Sequence, residues 1–304
     1  MSDLYDVVIV GGGAAGLSAA LMLGRCRRRI LLCDGREPRN AAAQGIHGLL
    51  GHEGLRPSEL LAKGRAELQQ YPTVSARAER VSVITPMDNR FSVTCADGTA
   101  QMARKVLLAT GLKDEVPQIE GIERLYGRSV HHCPYCDGFE HRDEPLAVYG
   151  AGDEGAGLAL MMTQWSDDVL LLTDGLAPVS AVMQERLDRH AIAVHTEKIA
   201  RLEGTPNGDL HTIHLQDGTA LKRTAMFFTT SCVQHSDLSA TLGCVRDEKG
   251  GIVTDPVTGE SSVPGVYVAG DASRDVLLVA VAIAEGAMAG VAINRALLKD
   301  DGLG

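Results

Sequence analysis

The residues His131-His132-Cys133-Pro134-Tyr135-Cys136-Asp137-Gly138 concentrate more reactive chemistry than any other stretch of this chain. Two cysteines separated by two residues can open and close a disulfide without moving the backbone, and such motifs favour thiolate, the form that attacks disulfides. Pro134 stiffens the loop between them. Asp137 follows the second sulfur and can move the proton that each thiol–disulfide step takes up or releases. His131 and His132 change charge near neutrality, so either suits a base that draws a proton from an incoming thiol. Either equally suits a satisfied polar residue at a strand end. The competing readings of the cysteines are half a zinc site and two packed core residues. A structural zinc site needs four ligands, and the other five cysteines are scattered, so a redox pair is the better reading and no metal is expected.

Two glycine strings surround this motif, each in the setting that nucleotide binding requires. Tyr5 to Val10 reads as a buried strand. Gly11-Gly12-Gly13-Ala14-Ala15-Gly16 follows, then an Ala/Leu-rich helix to about Arg25. Gly11 permits the tight turn, Gly13 lets the backbone approach a pyrophosphate, and Gly16 lets helix and strand pack closely. The helix N-terminus offers free N–H groups to the phosphates. A second strand over 29–33 ends in Asp34, eighteen residues after Gly16, where a carboxylate should meet ribose hydroxyls. Gly35 and a loop containing Arg39, Asn40 and His47 follow. That loop is either a surface connection or a flap over a bound cofactor. After an amphipathic helix from Pro57 and four short strands, Thr110 and Gly111 give a second close backbone approach. Downstream of the cysteines, the strand 145–149 leads into Gly150-Ala151-Gly152-Asp153-Glu154-Gly155 and a helix. The next strand ends in Asp174, nineteen residues after Gly155. A late strand, 263–271, ends in Gly270-Asp271, and 276–298 reads as a long, buried final helix.

The expected fold is therefore α/β, with two Rossmann-like, three-layer βαβ nucleotide-binding domains. Its 304 residues, 45% hydrophobic and 22% charged, suit two soluble globular domains. A formal charge of −10 argues against nucleic acid or an anionic membrane as partner. Seven cysteines without a disulfide-framework spacing, and no recognisable signal peptide, point to a cytoplasmic protein.

GGGAAG, CPYCDG, GAGDEG and VYVAGD, in this order and at these distances, resemble the low-molecular-weight thioredoxin reductases and related FAD-dependent pyridine nucleotide-disulfide oxidoreductases. The resemblance covers nearly the whole chain. It implies a discontinuous FAD domain, 1–114 and 248–304, with an NAD(P)-binding-like domain, 115–247, inserted into it and carrying the CPYC motif. It also implies a homodimer whose partner is a thioredoxin-like protein or a small-molecule dithiol or disulfide. On this resemblance Gly11, Gly13 and Gly16 cradle the FAD pyrophosphate, Asp34 meets its ribose, Asp271 its ribityl chain, and Thr110 and Gly111 lie along it. Cys136 faces the flavin, Cys133 meets the external substrate, and Asp137 protonates the departing thiolate.

Three departures matter. The motif interior is Pro-Tyr rather than Ala-Thr, and Leu277-Leu278 replaces an Arg-Gln pair. Where thioredoxin reductases hold the NADPH 2′-phosphate with His-Arg-Arg, this chain has Leu172-Thr173-Asp174-Gly175. Use of Gly150, Gly152, Gly155 and Asp174 for NAD(P)H is thus left open, with NADPH expected to be a poor donor. The departures are shared in kind with FAD-dependent dithiol oxidases that pass electrons to oxygen. A non-catalytic flavoprotein redox sensor is the rival from another class; the intact Cys-x-x-Cys-Asp argues against it.

Overall fold

The computed structural model describes residues 4–273 and 276–303. The chain divides into two compact units, the first comprising residues up to 41, 56–113 and 232 onward, the second 42–55 and 114–231.

In the first unit, β1 (Leu4–Val10), β2 (Ile30–Cys33) and β3 (Val74–Arg77) are parallel, and β1 also pairs in parallel with β6 (Ala100–Leu108). The N-terminal half of β6 continues antiparallel into β5 (Arg90–Cys95) and β4 (Val81–Met87). Its C-terminal half pairs in parallel with the late strand Val266–Val268, completing a seven-stranded sheet. Alternate residues of β1 serve opposite faces, as the two-residue period of a strand demands. Val8 and Val10 join one core with Leu31, Val93 and Val106, while Val7 and Ile9 join the other with Leu17, Leu23 and Ile293. A sheet buried on both faces explains why β1 reads as an unbroken apolar run.

Among the described residues three helices cover one face, α1 (Ala14–Arg25), the helix Pro57–Leu68 through Leu61 and Leu68, and the C-terminal helix (Val279–Asp300). Among the described residues the last of these is the one helix long and apolar enough to cross a membrane. It lies along α1 so closely that a Cβ on Gly286 would sit 2.1 Å from the Ala15 carbonyl oxygen, and one on Gly290 3.0 Å from Met22 Cβ.

The second unit has an all-parallel sheet. Its strands are Val130–His131, Leu146–Tyr149, Val169–Leu172, Ala193–His195 and Ala225–Phe228, and the strand Leu146–Tyr149 lies between Val169–Leu172 and Ala225–Phe228. Leu146, Val148, Leu171 and Phe227 pack on the helix Gly152–Met162; Ala147, Leu170, Met226 and Phe228 pack on the opposite side with Leu202 and Ile213 of a small antiparallel sheet.

The units divide at other places than the expected boundaries. Residues 232–247 pack with the first unit: Leu238, Leu242 and Cys244 share a core with Val81, Ile84 and Val93. Residues 42–55 cluster with the second, where Gly127 approaches so closely that a Cβ on it would meet the Ala42 carbonyl oxygen at 2.6 Å. Lys249-Gly250-Gly251 is a tight turn whose N–H groups at Lys249 and Gly251 donate to Asp247 Oδ1 at 2.9 and 2.8 Å.

Candidate active site

The redox motif lies at the end of the strand Val130–His131. Cys133 caps one short helical turn, Pro134–Asp137, with proline at its first position, where no N–H is needed. The Cys136 and Asp137 N–H groups return to the Cys133 carbonyl at 3.1 and 3.2 Å. This turn brings the cysteine Cα atoms to 5.3 Å, and Cys133 and Cys136 are joined as a disulfide. Gly138 closes the turn where a side chain has no room: its Cβ would be 2.6 Å from the Pro134 oxygen and 2.9 Å from the Trp165 ring. Tyr135 meets Trp165 edge-on, and both line a groove of about 400 Å³ with Leu160, Met161, Thr163 and Gln164.

The two histidines have different surroundings. His131, buried, packs its ring on Phe227 of the neighbouring strand; its Nδ1 is 3.3 Å from Asp137 Oδ1 and its Nε2 is 3.1 Å from His141 Nε2. His132 is held among Tyr126, Phe228 and Asp114, with Nδ1 3.3 Å from the Tyr126 hydroxyl and Nε2 3.9 Å from Asp114. Asp137 is thus beside the disulfide in sequence and beside His131 in space.

The first glycine string forms an open cradle. Gly11 has φ of +111°, and a Cβ on it would lie 2.1 Å from the Ala109 oxygen; one on Gly16 would meet Gly11 O at 1.9 Å. Gly13 has nothing within 4 Å of that position, so its glycine leaves space for something the chain does not supply. The first turn of α1, which Ala14 and Ala15 begin, carries no acidic residue. Asp34 stands at the end of β2 ahead of Gly35; it accepts from Arg65 Nη2 at 2.8 Å and from the Arg36 N–H at 2.9 Å. Gly270, in the left-handed region beside Ala15, donates its N–H to Glu285 at 2.8 Å, and Asp271 accepts from Arg39 at 3.1 Å. Thr110 and Gly111 follow β6 at the same sheet end, Gly111 accepting from the His235 N–H at 3.1 Å. Asn40 sits in the turn Pro38–Ala41. The open cradle, the uncharged helix start and the two carboxylates fit a dinucleotide of the FAD type. His47 clusters with the second unit, its Nδ1 2.7 Å from Glu53 and 3.6 Å from Glu140.

The second glycine string is filled from within. A Cβ on Gly155 would be 2.3 Å from Gly150 O, just as one on Gly16 meets Gly11 O, but one on Gly152, the counterpart of Gly13, would meet Ala177 Cβ at 3.5 Å. The Gly152 N–H donates to the Ala177 carbonyl at 3.3 Å, and Asp153 accepts from the Ser180 N–H at 2.8 Å. Asp153 and Glu154 both lie in the first turn of this helix. Asp174 is occupied by the Tyr149 hydroxyl at 3.0 Å and the Ile199 N–H at 2.9 Å. Burial, then the Asp174 charge, push the Tyr149 phenol up to about 12.

Sequence reasoning missed His141, Glu144, Trp165, Arg65, Glu285 and Tyr149. None of these belongs to a local motif.

This combination of two βαβ units, an open dinucleotide cradle and a Cys-x-x-Cys disulfide defines a flavin-linked disulfide oxidoreductase. A family model described as pyridine nucleotide-disulphide oxidoreductase matches residues 5–286, and the chain belongs to that family. It is 30% identical over 301 residues to the "Probable thioredoxin reductase" of Arthroderma benhamiae, covering 89% of this chain and 74% of that one. It is 29% identical to thioredoxin reductase sirT of Leptosphaeria maculans, covering 98% and 96%. Among solved structures, an oxidoreductase of Agrobacterium tumefaciens superposes with a TM-score of 0.90 at 34% identity, covering 98% of this chain and 99% of that one. The protein is thus a thioredoxin reductase-like, FAD-dependent disulfide oxidoreductase.

Proposed function

We propose that electrons enter this enzyme from an external dithiol through Cys133–Cys136, and that NADPH is a poor donor. FAD, when bound, supplies a two-electron store that exchanges reducing equivalents with a dithiol–disulfide pair. Gly11, Gly13, Gly16, Asp34 and Asp271 are the residues that would hold it. Cys133 receives the external thiolate, Cys136 is the leaving sulfur, and Asp137 supplies its proton. The observation that carries the reading is the contrast between the glycine strings. One is open at Gly13 and starts a helix without acids; the other spends the Gly152 N–H internally and carries Asp153 and Glu154 in the first turn of its helix. Carboxylates there repel phosphates, and recognition of the 2′-phosphate usually needs an arginine.

The external partner is either a thioredoxin-like protein or a small-molecule dithiol. The groove beside the motif, with Tyr135 and Met161 exposed on it beside Thr163 and Gln164, is of a size for a small dithiol. The electron acceptor is then oxygen or another nicotinamide-independent oxidant. We place the enzyme in the cytoplasm as a homodimer, free of nucleic acid and membrane; the charge of −10 and the unframed cysteines support the first and last points. Met288 and Val291, exposed on the final helix, are apolar surface that a second copy would cover.

The test is anaerobic mixing of the oxidised holoenzyme with dithiothreitol, NADH and NADPH in turn while flavin absorbance is followed. Bleaching by the dithiol and not by NADPH is expected. Rapid, saturable bleaching by micromolar NADPH would overturn the proposal.

A further inference from the structure

We propose that Asp137 is recharged with protons through a relay, Asp137–His131–His141–Glu144, that ends at solvent. The inference rests on the reading of Asp137 as the acid beside Cys136. Two hydrogen-bond contacts and one ion-pair approach join the four groups: 3.1 Å from His131 Nε2 to His141 Nε2, 3.3 Å from His141 Nδ1 to Glu144 Oε2, and, at ion-pair distance, 3.3 Å from Asp137 Oδ1 to His131 Nδ1. His131 is only 5% exposed, so it cannot exchange with bulk water itself, whereas the Glu144 side chain is 43% exposed. The His131 ring is fixed between the strand pairing His131↔Phe227 and the Phe227 ring, 5.4 Å between centroids. The charged side chains facing the two rings are Asp137 and Glu144. Nearby Glu140 is turned to His47, and the Arg142 guanidinium lies over Phe139.

Counting protons shows why this order of groups conducts. With Asp137 protonated, every contact has one donor and one acceptor: Asp137 O–H to His131 Nδ1, His131 Nε2–H to His141 Nε2, and His141 Nδ1–H to the Glu144 carboxylate. Moving each proton one place along gives a second matched arrangement with the same three protons, Asp137 ionised and Glu144 protonated. The back-to-back Nε2 atoms make this possible. Two neutral rings that both gave their N–H to a carboxylate would leave two acceptors facing each other, so the chain retains a proton between its ends.

In the exchange step, an external thiolate attacks Cys133 Sγ. A new S–S bond forms as the Cys133–Cys136 bond breaks, and Cys136 departs with the bonding electron pair. The step starts from the second arrangement, with Glu144 protonated: Asp137 passes a proton to that thiolate as it takes one from His131 Nδ1, His131 Nε2 takes one from His141 Nε2, and His141 Nδ1 takes one from Glu144; when Cys136 gives up its proton on reoxidation, the same moves in reverse restore the start. The second thiolate of the same dithiol then attacks its partner sulfur, closing its own disulfide and releasing Cys133, which is protonated from solvent. The dithiol loses two electrons and the protein disulfide gains them.

The experiment measures reduction of Cys133–Cys136 in the oxidised holoenzyme by dithiothreitol, with acid quenching and alkylation of the freed thiols at timed intervals. Glu144→Gln and His141→Ala should each slow it on the order of 100-fold, the lower end of what positioned proton transfer contributes. Free imidazole should restore much of the rate to His141→Ala, which a structural role would not allow. Wild-type rates in Asp137→Asn would defeat the acid reading and the relay with it. A slow Asp137→Asn beside wild-type rates in His141→Ala and Glu144→Gln would overturn the relay and leave the acid standing. A folded, slow His141→Ala that imidazole does not rescue also overturns it. Glu144, part-exposed at the surface, keeps the test decisive if His141→Ala does not fold.

Discussion

At the scale of single residues, the chemistry separates the sulfurs from one another. Cys133 and Cys136 share a turn, while Cys33 and Cys95 are buried side by side with 3.9 Å between sulfurs. Burial first, and the neighbouring Cys95 second, push the Cys33 thiol up to about 12. A thiol held neutral is a poor nucleophile. In the oxidised native protein, alkylation should therefore reach exposed Cys26 and spare Cys33, Cys95 and Cys244; dithiothreitol should add Cys133 and Cys136. Native labelling of Cys33 by peptide mass spectrometry would contradict this. Tyr149 gives a pH prediction by the same logic. Its phenol is raised to about 12 in the fold, mainly by burial and then by Asp174, against 10.0 when unfolded. Between those values the unfolded chain has lost the proton that the folded chain keeps, so stability falls as pH rises through that window. Wild type should lose thermal stability from pH 10 upward more steeply than Tyr149→Phe, and parallel melting curves would refute the assignment. The sequence made the cysteines, Asp137 and the glycines legible because their types and spacing are local. His141 and Glu144 were not, because their meaning comes from a ring-to-ring contact that only the tertiary fold creates.

At the scale of elements, the reading of strands succeeded where burial on both faces writes itself as a continuous apolar run, as in β1 and β2. It was weaker for the loop 42–55 and the segment 232–247, whose assignment depends on packing partners far away in sequence. The pairing of α1 with the final helix was also invisible, since a glycine within an apolar helix carries no local sign of the partner it packs against. Gly286 and Gly290 are the points of closest approach, and Ser18 Oγ adds a hydrogen bond to the Ile283 carbonyl at 2.7 Å. Gly286→Ala forces a methyl group into the Ala15 backbone, and overpacking of this kind costs about 1–3 kcal/mol. Because Ala15 belongs to the first glycine string, the strain falls on the cradle as well. The variant should melt lower than wild type and retain less FAD after gel filtration; unchanged values of both would show that the helices move apart freely.

At the scale of the whole molecule, the two glycine strings make two different statements about one chain carrying 29 basic and 39 acidic residues. A protein of net charge −10 repels anionic ligands unless a site locally opposes that field. The start of α1 does so: its first turn is free of carboxylates, its N–H dipole is positive, and the space beside Gly13 is open. The helix Gly152–Met162 does the reverse, adding Asp153 and Glu154 to the repulsion. The expected result is a thermal shift with one ligand and not the other. FAD at a hundredfold excess over its Kd should stabilise the protein by about 2.7 kcal/mol through mass action alone. NADPH at millimolar concentration should leave the melting temperature of the FAD-loaded protein unchanged. Double replacement Asp153→Asn, Glu154→Gln removes the two charges and retains the fold of the helix start. Because the Gly152 N–H and Asp174 remain occupied, it should improve NADPH binding only weakly. A clear NADPH shift in the wild-type protein would mean that the segment around Ala177 and Asp174 opens to admit the nucleotide, and would return the enzyme to nicotinamide-driven reduction.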